Sequence, residues 1–78
     1  MKNKDYSYII AGDVSLRDGI GMEVYKNENL VLEIFRDDMD KKRTLRIFED
    51  SIDLDIIEES ILLFKKNIPW DFIEDDEK

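Results

Sequence analysis

Two hydrophobic periods divide this chain. Over the first fifty positions apolar residues recur every second place, and from Leu54 onward they recur every third or fourth. Period-two alternation marks strands with one buried and one wet face, whereas three–four spacing marks one side of a helix. The aromatic and β-branched run Tyr6-Ser7-Tyr8-Ile9-Ile10-Ala11 predicts a first strand. Gly12-Asp13-Val14-Ser15-Leu16-Arg17-Asp18-Gly19 reads as a loop, and the two glycines of Gly19-Ile20-Gly21 suit a tight turn or a bulge. Ile20, Met22 and Val24 then alternate with Gly21, Glu23 and Tyr25 in a second strand. Lys26-Asn27-Glu28-Asn29 forms a hairpin break, because Asn tolerates left-handed backbone.

Leu30-Val31-Leu32-Glu33-Ile34-Phe35-Arg36 carries the strongest strand signal. Leu30, Leu32 and Ile34 are expected on one face, with Val31, Glu33 and Phe35 on the other, so this strand is central and covered in part on both sides. The polar turn Asp37-Asp38-Met39-Asp40-Lys41-Lys42 leads into Arg43-Thr44-Leu45-Arg46-Ile47-Phe48-Glu49, a further strand. After it, Leu54, Ile57, Ile61, Phe64 and Ile68 trace one helix face, widened by Ile56 and Leu63. Ser51 or Asp53 can cap the helix. Asp53, Asp55, Glu58 and Glu59 at its start and Lys65 and Lys66 at its end suit the helix dipole. Pro69 stops it near Ile68. The predicted fold is α+β: an antiparallel meander of three or four strands, then one C-terminal helix packed on one sheet face. Residues 1–78 are expected to form a single domain, with residues 1–5 expected to fray and residues 74–78 to form a mobile acidic tail.

Composition narrows the function more than the fold. Of 78 residues 41% are charged, against the usual quarter, and the net charge is −8. Residues 1–27 are neutral, residues 28–50 carry −2 and residues 51–78 carry −6. The negative field therefore centres on the helix and tail, where it repels nucleic acid and anionic lipid and steers basic surfaces inward. With no cysteine and no histidine, disulfides, thiolate or imidazole metal sites and Ser–His or Cys–His nucleophiles are excluded. No apolar stretch approaches a membrane span and no apolar h-region follows Met1-Lys2-Asn3-Lys4-Asp5, so a cytoplasmic location is expected.

Few motifs carry chemistry. Counted as a calcium loop from Asp38, Asp37-Asp38-Met39-Asp40 leads to Lys42 at the fifth, ligand position and to Arg43 where the loop needs Gly, so it reads as a solvated hairpin tip. The carboxylates at the helix start are accounted for by capping and have no second lobe to form a catalytic cleft. Arg17-Asp18-Gly19-Ile20-Gly21 lacks the third glycine of a dinucleotide loop. Lys41, Lys42, Arg43 and Arg46 are flanked by acids, and local salt bridges are expected there rather than nucleic-acid binding. No catalytic, cofactor or metal residue emerges, and no enzymatic activity is expected. What remains is Pro69-Trp70-Asp71-Phe72-Ile73-Glu74-Asp75-Asp76-Glu77, two aromatics among carboxylates. Trp70 and Phe72 either close the end of the small core or anchor a partner whose bases meet the acids. The candidate partner-binding set is Asp55, Glu58, Glu59, Trp70, Asp71, Phe72, Glu74, Asp75 and Asp76. If the second sheet face is uncovered, it is a further candidate interface.

Arg17-Asp18-Gly19-Ile20-Gly21-Met22-Glu23-Val24-Tyr25, continued by Leu32-Glu33-Ile34-Phe35-Arg36-Asp37-Asp38, resembles small acidic bacterial immunity proteins of polymorphic or contact-dependent toxin systems. The likeness covers the middle and C-terminal two-thirds in size, layout and short phrases, without a diagnostic motif. It implies a cytoplasmic protein that binds one cognate toxin and blocks its active site or substrate channel. A nuclease fits the charge, because nuclease clefts must attract phosphate. A phage-type inhibitor or nucleic-acid mimic aimed at a defence or DNA-processing enzyme makes the same electrostatic demands. A homodimer with a structural role is the third alternative.

Overall fold

The computed structural model describes residues 1–13 and 18–73. Four strands, β1 (Tyr6–Asp13), β2 (Gly19–Lys26), β3 (Asn29–Asp37) and β4 (Lys42–Ile47), precede one helix, α1 (Leu54–Asn67). The strands lie in chain order in a single antiparallel sheet, so the meander has four members and β1 and β4 are its edges. Asn27 takes the left-handed backbone expected of the β2–β3 hairpin, with φ of 57°, and Lys41 does the same between β3 and β4. The first strand runs two residues further than its sequence pattern, through Gly12 to Asp13.

The core lies between α1 and one sheet face. Met22, Val24, Val31, Leu32 and Ile34 meet Phe64 and Ile68, with Tyr6, Tyr8, Ile52, Ile57 and Leu63 at the margin. Val31 departs from strict alternation. A register shift between Val24 and Tyr25 pairs Val24 with Leu32 but Tyr25 with Leu30, which leaves Val31 as the extra residue of a bulge. Val31 thus joins Leu32 in the core, and Leu30 does not.

The opposite sheet face holds a second, smaller packing unit. Phe35 is 2% exposed and lies across the trough made by Gly19 and Gly21. A Cβ at Gly21 would stand 2.7 Å from the Phe35 ring, and one at Gly19 would run into the Arg36 carbonyl. No glycine has positive φ among the described residues, so these two serve close approach of a ring and not a turn.

α1 is rotated about its axis relative to the expected stripe. Its buried residues are Ile56, Ser60 and Phe64, whereas Leu54 is 77% exposed and Ile61 lies partly open. Ser60 makes this rotation tolerable. Its hydroxyl donates to the Ile56 carbonyl at 2.7 Å, so a small, fully buried side chain keeps no unpaired polar atom. At the helix start Asp53 occupies the N-cap without a side-chain hydrogen bond. At its end Ile68 is already extended, as Pro69 requires.

Candidate protein-binding face

The aromatic tail is held by the molecule itself. Arg36, only 3% exposed, pairs in two-pronged fashion with Asp38: Nε to Oδ1 at 3.0 Å and Nη2 to Oδ2 at 3.2 Å. Its remaining Nη1 donates to the Pro69 carbonyl at 2.7 Å, and Asp38 also accepts the Ile73 amide at 3.1 Å. The carboxylate expected at a solvated hairpin tip is therefore a buried anchor for the chain's end. Asp37, by contrast, caps the turn through the amides of Met39 and Asp40.

Arg43 of β4 does the rest. Its guanidinium lies 4.0 Å from the Trp70 ring centre and 4.2 Å from that of Phe72, and it donates through Nε and Nη2 to the Trp70 carbonyl. Lys65 stands over the same indole at 5.1 Å, and the Trp70 ring meets Phe64 edge-on. The Lys41 ammonium reaches the Ile73 carbonyl at 3.1 Å. Lys41 and Arg43 thus serve tail carbonyls and aromatic faces, whereas Arg46 makes a salt bridge of the kind that sequence favoured, with Glu33 across the ladder at 3.8 Å. Trp70 and Phe72 are lock residues, although Trp70 keeps nearly half its surface open. Asp71 is exposed. Glu74, Asp75 and Asp76 lie outside the described residues.

A different surface gathers exposed apolar groups. Leu54, Ile61 and Leu62 stand open on α1, and with Asp55, Ile57 and Glu58 they line a shallow hollow along the helix. The flank bearing Leu54 and Ile61 also carries Lys65, whose contact with Trp70 directs it toward β4. There Leu45 and Ile47, paired with Ile34 and Leu32, share the helix-side face of the sheet and remain more than 40% exposed. The helix residues form an apolar band on the outer surface of α1, with Asp55 and Glu58 on its rim, and Leu45 and Ile47 add exposed apolar surface on β4. Glu59 lines a neighbouring hollow with Asp55, Glu58 and Leu62, and it accepts the Lys2 amide at 2.9 Å.

The predicted set is thus divided. Asp55 and Glu58 sit beside the band, Trp70 and Phe72 belong mainly to the lock, and Glu59 pins the N-terminal segment. Leu54, Ile61, Leu62, Leu45 and Ile47 were not in the predicted partner-binding set, and Leu54 and Ile61 were expected on the buried helix face. The signal for the helix members was an apolar arc wider than a single helix on a small sheet can cover. On the far sheet face, Tyr25 donates its hydroxyl to Glu23 at 2.9 Å, and this bond is the main cause that raises its phenol above the ordinary value of 10.0. Among the described residues no helix is long and apolar enough to cross a membrane. Comparison with protein-family models, with curated proteins and with solved structures gives no match for this chain.

Proposed function

We propose that the chain is a small protein-binding module whose contact surface is the outer flank of α1 and the adjoining side of β4. The carrying observation is that Leu54, Ile61 and Leu62 lie open beside Asp55 and Glu58. Apolar anchors with carboxylates beside them at the helix start fit a partner with an apolar ridge and bases facing Asp55 and Glu58. The charge concentrated in residues 51–78 supports the same reading, since it speeds encounter with a cationic surface. Neutralisation of a basic toxin, a nuclease above all, is the specific form that the likeness to immunity proteins favours. The tail enters as a support that holds Trp70 beside Arg43 and Lys65, and Asp71 adds charge there.

The test is affinity capture from native cells with the wild-type chain and a Leu54→Ser/Leu62→Ser double variant as parallel baits. Both side chains are exposed, so the fold should persist by far-UV circular dichroism. The reading expects one basic protein retained by the wild type and lost from the variant. With that protein purified, Asp55→Lys/Glu58→Lys should slow association and flatten its salt dependence. Equal retention by both baits would remove this flank as the contact surface.

A further inference from the structure

Among the described residues β1 is an edge strand without protection. Residues 6–12, Tyr-Ser-Tyr-Ile-Ile-Ala-Gly, are the longest uncharged run in a chain that is 41% charged. No strand among the described residues pairs with its outer side, and within the sheet β1 pairs only with β2. Ile9 is 50% and Ile10 38% exposed, on opposite faces of that strand. Edge strands of monomeric proteins are usually interrupted by lysine, proline or a bulge, because a bare edge templates a further strand. β4 follows the rule with Lys42, Arg43 and Arg46, and β1 does not.

The backbone pattern tells which groups of β1 are free. The Asn27 amide donates to the Asp5 carbonyl at 2.6 Å, which continues the Tyr6–Lys26 register by one step. Hydrogen-bonded and non-bonded pairs alternate in an antiparallel ladder, so Ser7, Ile9, Ala11 and Asp13 direct their backbone groups to β2. Tyr6, Tyr8, Ile10 and Gly12 direct theirs outward. The Tyr6 amide is already spent on the Asn3 carbonyl at 3.0 Å, which leaves Tyr8, Ile10 and Gly12 open at the edge.

We propose that β1 pairs antiparallel with β1 of a second copy, about a twofold axis at Ile10, to give one continuous eight-stranded sheet. This register uses those three residues of each strand and no others. It sets Tyr8 against Gly12 of the other copy and Ile9 against its Ala11, a large side chain opposite a small one each time. Ile10 meets its own counterpart on the helix side. The one charge of the strand, Asp13, falls opposite Ser7. No like charges face each other directly, whereas a strand from β4 would bring Lys42, Arg43 and Arg46 toward their own copies. Two chains of net charge −8 repel at long range, and β1 is the element where that repulsion is weakest. The inference stands apart from the helix-flank reading, which needs neither β1 nor a second copy.

Cysteine placement tests the register, since the chain has no cysteine of its own. In a hydrogen-bonded antiparallel pair the Cα atoms lie about 5.5 Å apart, within disulfide reach. Ile10→Cys should therefore oxidise to a covalent dimer. Ser7→Cys should not, because its twofold mate lies roughly 20 Å along the strand. Sedimentation equilibrium of the wild type should show a concentration-dependent dimer. Ile9→Lys, at a half-exposed site, should sediment as a folded monomer while still binding any partner of the helix flank. A wild type that stays monomeric at millimolar concentration would overturn the proposal. So would an Ile9→Lys dimer abolished by Leu45→Lys, which would place the interface on β4.

Discussion

The two edges of this sheet are built on opposite plans. β4 carries a base at half of its six positions, and one of them, Arg43, draws the chain's end across its side of the molecule. β1 carries no charge before Asp13 and leaves two isoleucines partly open. A chain with charge at 41% of its positions could have placed one in residues 6–12 at little structural cost, because their outward positions are wet. The difference shows that charge on this molecule does two jobs. On β4 and the tail it closes a surface and organises it, and on the outer flank of α1 it frames apolar groups. Where it is missing, a strand is ready to be joined.

The comparison breaks first at the lock. Arg36→Ala leaves Asp38 buried without its guanidinium and cuts the Pro69 contact, a change expected to cost about 3–5 kcal/mol. Urea unfolding followed by circular dichroism measures it. An unchanged midpoint would mean that the tail is not anchored through Arg36. Next in size is Gly21→Ala, which pushes a Cβ into the Phe35 ring and should lose roughly 1–3 kcal/mol by the same assay. Because Gly21 lies in β2, this loss should not alter the choice between edges. If Gly21→Ala is neutral, the ring does not rest on the glycine trough.

The smallest change sharpens the picture most finely. Arg43→Ala removes the cation between Trp70 and Phe72 and should cost about 1 kcal/mol. Trp70 is the only tryptophan, so its emission should move to the red as the indole gains water. Self-association should remain as in the wild type. Unaltered emission would show that Arg43 does not hold the indole.

Much of this architecture was legible in the sequence, for local reasons. Alternation at Ile20, Met22 and Val24, Asn27 in a left-handed turn and Pro69 behind a three–four pattern each act within a few residues. The features that were not legible depend on distance. Leu54 and Ile61 fit the helix period as well as Ile56 and Phe64 do, and only the packed structure, with Ser60 in the buried stripe, decides which side is covered. Val31 enters the core because of a bulge in a pairing that sequence does not display. Arg36 and Asp38 read as the end of a strand and a wet turn, since their third partner, the Pro69 carbonyl, arrives 33 residues later. Of the tail, sequence left open whether Trp70 and Phe72 close the core or meet a partner, and the position of Arg43 shows how the first is achieved.

The central claim is that β1 is the open edge and β4 the closed one. Amide hydrogen exchange measured across protein concentration tests it residue by residue. The Asn27 and Phe48 amide bonds fix the phase of the two ladders, so Tyr8, Ile10 and Gly12 face outward on β1, and Arg43, Leu45 and Ile47 on β4. Protection at Tyr8, Ile10 and Gly12 should rise with concentration while that at Arg43, Leu45 and Ile47 stays flat. A rise confined to the β4 amides, or no rise at either edge, would contradict the account.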